Sequence, residues 1–129
     1  MSKVKPSDLE MQILSVLWER GPSTAREVLE AMPDGKKRAY TTILSAMQVM
    51  EKKGLLGHTS RGVAHVYRPT VNKHKVIQPF VRKVVTEVFG GRPAAVMQAL
   101  LADRKVSDEE LAEMRKLLDA AETGSNEEA

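Results

Sequence analysis

The sequence has no cysteine and few aromatic residues. Without cysteine the chain can form neither disulfides nor thiolate metal sites, and its composition is typical of a reducing cytosol. Only 4% of the residues are Phe, Trp or Tyr, so the core must consist of aliphatic side chains and methionine. No apolar run is long enough to cross a bilayer, and residues 1–7 lack the pattern of a signal peptide. We therefore expect a cytoplasmic protein.

Sequence signatures of enzymes and metal sites are also missing. There is no Gly-rich phosphate loop, no nucleophile elbow and no motif of paired carboxylates in a pocket. The three histidines, His58, His65 and His74, lack the i, i+4 spacing of a helical metal site. We therefore predict no catalytic residue, no cofactor and no metal ion, and we interpret the imidazoles as solvated or phosphate-contacting.

The charge is distributed unevenly along the 129 residues, a length that suits one domain or a small domain with an appended module. Residues 1–75 contain 13 Lys and Arg against 7 Asp and Glu, whereas residues 76–129 contain 7 against 10. This asymmetry predicts contact with a polyanion in the first half only.

Three helices are predicted at the start of the chain. Ser7 and Glu10 have the spacing of a capping box, in which each side chain accepts a hydrogen bond from the other residue's amide. Thr24 and Glu27 repeat this pattern ahead of a second, shorter helix. A third helix is predicted over residues 39–53, because apolar residues recur there at helical spacing on one face.

A β-hairpin is predicted directly after the third helix. Two short β-type segments, residues 55–60 and 65–68, flank a turn in which Gly62 can adopt a positive φ. The order helix, helix, helix, strand, strand is that of a winged helix-turn-helix domain, which presents a polar helix and a basic hairpin to DNA.

The rest of the chain is predicted to be helical. Residues 71–89 have a helical pattern that contains Pro79, which either starts the helix or kinks it. A short helix follows over 93–102, and a third capping box at Ser107 opens a final helix that ends near residue 122. The apolar faces of these helices either fold back on the first domain or pair with a second copy of the chain, and we favour pairing. The predicted dimerisation residues are Phe80, Val84, Val88, Leu100, Leu111, Met114 and Leu118.

The third predicted helix has a polar face of unusual chemistry. Thr41, Thr42 and Ser45 are short and uncharged, so they can approach base edges and thymine methyl groups. Cations on both sides of this face, and at the hairpin tip, can reach phosphates. Tyr40 can contribute either its ring or its hydroxyl. The predicted DNA-binding residues are Lys36, Lys37, Arg38, Tyr40, Thr41, Thr42, Ser45, Lys52, Lys53 and Arg61.

Polar helix faces are often only solvated surface, and the runner-up hypothesis is a protein-interaction module whose basic face is incidental. Salt dependence separates the two hypotheses, because phosphate contacts make log K fall linearly with log[salt].

Four segments of the chain resemble the penicillinase repressor family of the BlaI/MecI type: residues 9–32, 40–56, 66–69 and 106–119. The resemblance covers nearly the whole chain in the family's order. It implies an N-terminal winged helix that binds operator DNA near promoters and a C-terminal helical region that forms a dimer. The third helix then corresponds to the recognition helix, with Tyr40, Thr41, Thr42 and Ser45 as its contacts.

Two features of that family do not carry over cleanly. Penicillinase repressors are inactivated by a regulatory protease at an Asn-Phe bond, and the corresponding stretch here is Val-Met-Gln-Ala at residues 96–99. Copper-responsive relatives carry a C-terminal cysteine cluster, which this chain lacks.

The sequence thus predicts a mostly α-helical protein with a small β-hairpin. A winged helix-turn-helix domain over residues 1–72 precedes a helical dimerisation region over 73–122 and a disordered tail over 123–129. The predicted function is that of a homodimeric transcriptional repressor that occludes a promoter by binding a palindromic operator.

Overall fold

The computed structural model describes residues 6–128, which form six helices and two strands. The mostly helical fold with one hairpin is confirmed. In chain order the elements are α1 (Asp8–Arg20), α2 (Ala25–Glu30), α3 (Tyr40–Lys52), β1 (Leu56–Arg61), β2 (Ala64–Pro69), α4 (Lys73–Glu87), α5 (Pro93–Ala102) and α6 (Asp108–Glu128). The chain divides into two compact units between Gln78 and Pro79, within α4.

Both predicted capping boxes of the N-terminal unit are confirmed. At the start of α1, Ser7 Oγ accepts from the Glu10 N–H at 3.2 Å, and the Glu10 carboxylate accepts from the Ser7 N–H at 3.0 Å. Thr24 and Glu27 make the same pair of bonds at 3.2 and 2.9 Å at the start of α2. These bonds satisfy amides that have no partner within a helix, and so fix where each helix begins.

The hairpin is tighter than predicted. β1 and β2 are antiparallel, and the pairing extends to Arg61 opposite Ala64, which leaves a two-residue turn. Gly62 has a φ of +63° in this turn, a conformation that side-chain-bearing residues rarely adopt. On the other side of β2, Ser23 and Tyr67 exchange two backbone hydrogen bonds of 2.9 and 2.8 Å. This bridge ties the start of the α2 region to the hairpin.

The core of the N-terminal unit is aliphatic and methionine-rich, as expected, with one aromatic exception. Tyr67 is only 1% exposed and is among the largest fully buried side chains. Since β2 alternates between its two faces, Tyr67 points inward while Arg68 stays exposed. The buried apolar residues are Ile13, Leu14, Val16, Leu17, Ala25, Val28, Ile43, Met47, Met50, Leu55, Leu56 and Tyr67.

A buried carboxylate links α1 to the end of α3. Glu10 is 6% exposed, and both its oxygens accept from the Lys53 ammonium, at 3.0 and 2.9 Å. Burial raises the pKa of Glu10, but the hydrogen bonds from Lys53 and from Ser7 outweigh burial and lower it overall. A lowered pKa means that this pair stabilises the fold above the carboxyl's unfolded pKa, and that the contribution is lost as the pH falls below it.

Replacing Lys53 should therefore reduce stability, whereas replacing its neighbour Lys52 should not. Lys53→Ala leaves the Glu10 carboxylate buried without its cation, at a cost of about 1–2 kcal/mol once the partial exposure of Lys53 is considered. Lys52 is exposed and makes no comparable ion pair in the described structure, so Lys52→Ala is the matched control. Thermal and urea unfolding of both variants measure the difference. Equal stability of the two variants would contradict a structural role for Lys53.

In the C-terminal helices the structure decides one open alternative and extends one helix beyond its predicted end. α4 begins at Lys73, so Pro79 lies inside the helix and does not start it. Proline has no N–H, so the Lys75 carbonyl lacks its usual helical donor there. α6 continues to Glu128, past residue 122, where the sequence suggested the start of a tail; residue 129 lies outside the described residues. The predicted cap at Ser107 is present, since its Oγ accepts from the Glu110 N–H at 3.1 Å.

The apolar faces of the C-terminal helices are largely open to solvent. Neither α4 nor α5 contains a buried residue. Among the predicted dimerisation residues, Phe80, Leu111 and Met114 are half-buried, and the others are exposed: Val84, Val88, Leu100 and Leu118. No helix among residues 6–128 is long and apolar enough to span a membrane.

Candidate nucleic-acid interface

α3 has one buried face and one exposed polar face. Ile43, Met47 and Met50 are fully buried against the core. The opposite face presents hydroxyl and amide groups to solvent, because residues three or four apart share one side of a helix. Its exposed polar members are Tyr40, Thr41, Thr42, Ser45 and Gln48.

The N-terminus of α3 has no side-chain cap. Ala39 occupies the N-cap position, and no side chain accepts from the first amides of the helix. Lys36 and Lys37 are exposed immediately before it. The positive end of the helix dipole and two lysines together favour an anion at this end of α3.

Arg38 is held by a carboxylate instead of projecting freely. Its guanidinium donates to both oxygens of Asp34, at 2.9 and 2.6 Å, and the Lys36 N–H donates to the same carboxylate. Arg38 is the main cause that holds the pKa of Asp34 well below its usual range. The pair orders the loop before α3, and a phosphate would have to compete with Asp34 for Arg38.

The two lysines at the end of α3 are not equivalent. Lys52 is exposed, whereas the Lys53 ammonium binds Glu10. A phosphate contact from Lys53 would therefore require it to leave a buried carboxylate, so Lys52 is the better candidate of the two.

The hairpin tip carries one cation and one fully exposed apolar side chain. Arg61 ends β1 and is exposed, and the Val63 side chain projects entirely into solvent. An exposed valine at such a turn can make apolar contact with sugars in a minor groove. Val63 was not among the predicted contacts.

A pair of stacked imidazoles joins the hairpin to α3. His58 Nδ1 lies 2.7 Å from a carboxylate oxygen of Glu51, and the His58 ring stacks on His65 with 4.1 Å between centroids. The His58 ring is therefore held by Glu51, although its side chain stays partly exposed to solvent. In the part of the chain that the structure describes, no group of three His, Asp or Glu residues is placed to hold a metal ion.

Arg26 is a candidate contact that the sequence did not indicate. Its guanidinium carbon lies 4.7 Å from the centroid of the Tyr40 ring. Both residues line an open cleft of about 320 Å³ between α2, α3 and the hairpin. The two residues are fourteen positions apart on different helices, so no local pattern reveals the pair. The other residues that line the cleft are Thr24, Ala25, Leu44, Gln48, Val63, Ala64, His65 and Tyr67.

Comparisons with known proteins give the following matches. The family model described as penicillinase repressor matches residues 6–120. The transcriptional regulators BlaI of two Mycobacterium tuberculosis strains, CDC 1551 / Oshkosh and H37Rv, are each 28% identical over 120 residues, which is 91% of this chain and 85% of theirs. The solution structure of the DNA-binding domain of the repressor BlaI is 27% identical with a TM-score of 0.49, and covers 57% of this chain and 90% of that one.

Proposed function

Because this chain belongs to the penicillinase repressor family, a family of DNA-binding transcriptional repressors, we propose that it acts in the cytoplasm as a homodimer on a palindromic operator. The observation that carries the proposal is the exposed face of α3, whose short polar side chains lie between exposed cations. Major-groove recognition needs such side chains at the base edges and cations at the phosphates beside them.

The exposed residues divide into two roles in this proposal. Thr41, Thr42 and Ser45 contact base edges, together with the Tyr40 hydroxyl. The cations bind the phosphate backbone without regard to sequence. The proposed phosphate contacts are Lys36, Lys37, Lys52 and Arg61.

The homodimer is proposed from the C-terminal helices. Val84, Val88, Leu100 and Leu118 expose apolar surface that a second copy of the chain would cover. A two-fold dimer then needs a palindromic operator with half-sites about one or two helical turns apart, about 34–36 Å for one turn.

A regulatory protease is a further proposed partner, by resemblance to the family. Residues 96–99, where the missing Asn-Phe bond would lie, are inside α5. Since this segment is helical, cleavage would require α5 to open locally.

Two substitutions on α3 should separate base contacts from phosphate contacts. Thr42→Ala should change the preference among operator variants by about 1–3 kcal/mol at one base position. Lys52→Ala should weaken binding to all duplexes alike and reduce the slope of log K against log[salt] by about 0.9. Fluorescence anisotropy with a panel of duplexes at several salt concentrations measures both effects.

Thr59→Ala serves as the control, since Thr59 is an exposed threonine on β1 and not on α3. A wild-type affinity that does not respond to salt would reject DNA binding and favour a protein partner. If Thr42→Ala and Lys52→Ala acted uniformly on all duplexes, α3 would not be the element that reads bases.

A further inference from the structure

We propose that Arg26 contacts a phosphate of the bound DNA and that the Tyr40 ring holds its guanidinium in position, an inference that rests on the proposed DNA binding. Arg26 is exposed on α2, and Tyr40 is the first residue of α3. The distance of 4.7 Å from the guanidinium carbon to the ring centroid is within the range of a cation–π contact.

Arg26 on α2 differs from Arg38, just before α3, in the group that each arginine contacts. Arg38 is neutralised by a bidentate bond to Asp34. The Tyr40 ring is uncharged, so Arg26 retains its full positive charge. A guanidinium above an aromatic face also keeps the N–H donors at its edge available for a bidentate bond to phosphate.

No carboxylate competes for Arg26 among the described side chains. Glu27, the next residue on α2, accepts from the Thr24 N–H at 2.9 Å in the capping box. No ion pair joins Arg26 to an acid within 4.0 Å in the described structure. A cation that is exposed, ordered and unneutralised provides a phosphate contact at a small cost in side-chain entropy.

The position of the pair fits a backbone contact beside the recognition helix. Arg26 and Tyr40 line the cleft that α2 and α3 share with the hairpin tip, and Val63 and His65 line it as well. Gln48, on the exposed face of α3, lines the same cleft. A DNA strand that follows the groove edge along α3 would therefore pass within reach of Arg26.

The alternative is that the pair only packs α2 against α3. Salt dependence distinguishes the two roles, because a packing contact does not change the number of neutralised phosphates. With the full-length protein and its best duplex, Arg26→Ala should reduce the slope of log K against log[salt] by about 0.9. Arg26→Ala should lower the affinity for all duplexes alike, by ~3- to 10-fold at 0.15 M salt.

Substitutions of Tyr40 test the positioning role. Tyr40→Phe removes only the hydroxyl, whose proposed base contact neutralises no phosphate, and so should keep the wild-type salt slope. Tyr40→Leu also removes the ring, and so should bind more weakly than Tyr40→Phe and with a smaller salt slope. Measured relative to Tyr40→Phe, the effects of Tyr40→Leu and Arg26→Ala should be less than additive in the double variant, because each removes the same contact. Arg115→Ala is the control, since it removes the same charge from an exposed position on α6. Thermal unfolding of every variant reports any loss of packing.

The outcomes distinguish this inference from the proposed function. A steep wild-type salt slope that Arg26→Ala leaves unchanged would overturn the Arg26 contact alone. A wild-type slope near zero would overturn DNA binding, and the Arg26 contact with it. Additive effects of Tyr40→Leu and Arg26→Ala would show that the ring does not position the guanidinium.

Discussion

Introducing two glutamates on α4, by Val84→Glu with Val88→Glu, should convert a dimer of 14.3 kDa chains into monomers and weaken operator binding by about 10²- to 10⁴-fold. The two valines lie one turn apart, and they are 45% and 70% exposed in the single chain. Charging an exposed position costs the chain's own fold little. A large effect on affinity must therefore arise from association, because two linked half-sites gain an effective concentration that separate monomers lack.

Thr86→Glu is the matched control for this experiment. Thr86 is exposed on α4 between the two valines, but two residues along a helix point to nearly opposite sides. The Thr86→Glu variant adds the same kind of charge outside the proposed apolar face, so the mass and affinity of this variant should resemble those of the wild type. Sedimentation equilibrium gives the mass, and anisotropy with one-site and two-site duplexes gives the affinities.

A wild-type monomer at the concentrations used for binding would reject the homodimer. A wild-type dimer that survives both glutamates would instead remove α4 from the interface. The remaining candidates would then be Leu100 on α5 and Leu118 on α6, which are also exposed.

The features predicted correctly from the sequence depend on contacts between near neighbours. Each capping box involves residues three apart, so the sequence alone specifies its hydrogen bonds. The exposed face of α3 follows from helical periodicity, and the hairpin follows from alternating residues around Gly62. These elements position most of the candidate DNA-binding residues without knowledge of the tertiary packing.

The features that were missed or changed depend on contacts between distant residues. Lys53 binds Glu10, which is 43 positions away, and Tyr40 supports Arg26 from another helix. The sequence alone does not distinguish among the cations near α3 as phosphate ligands. The packing of α1 against α3 gives Lys53 a carboxylate partner, and so removes it from the list of available charges.

A long stretch of the chain with only positively charged residues also supports the candidate nucleic-acid interface. Residues 52–86 contain eight Lys and Arg and no Asp or Glu. This stretch includes the end of α3, the whole hairpin and most of α4. Because no acid lies within this stretch, the segment itself carries a net positive charge, which favours a polyanion.

Ile43 and Ser45 lie two residues apart on α3, and their substitution should affect different properties by large amounts. Ile43 is fully buried, so Ile43→Ala should lower the free energy of unfolding by about 2–4 kcal/mol. Such a loss is a large share of the roughly 5–15 kcal/mol that holds a typical domain together. Ser45 is exposed, so Ser45→Glu should leave stability almost unchanged.

The effects on DNA binding should be the reverse. A glutamate at position 45 would place a negative charge against phosphates and base edges, and like charges at an interface cost several kcal/mol, or about 100-fold or more in affinity. Ile43→Ala, measured where the variant is still folded, should bind its operator nearly as the wild type does. Ser45→Ala separates the added charge from the lost hydroxyl. Since the two positions share one helix, a Ser45→Glu variant that is folded and still binds tightly would show that this face of α3 does not enter the DNA groove.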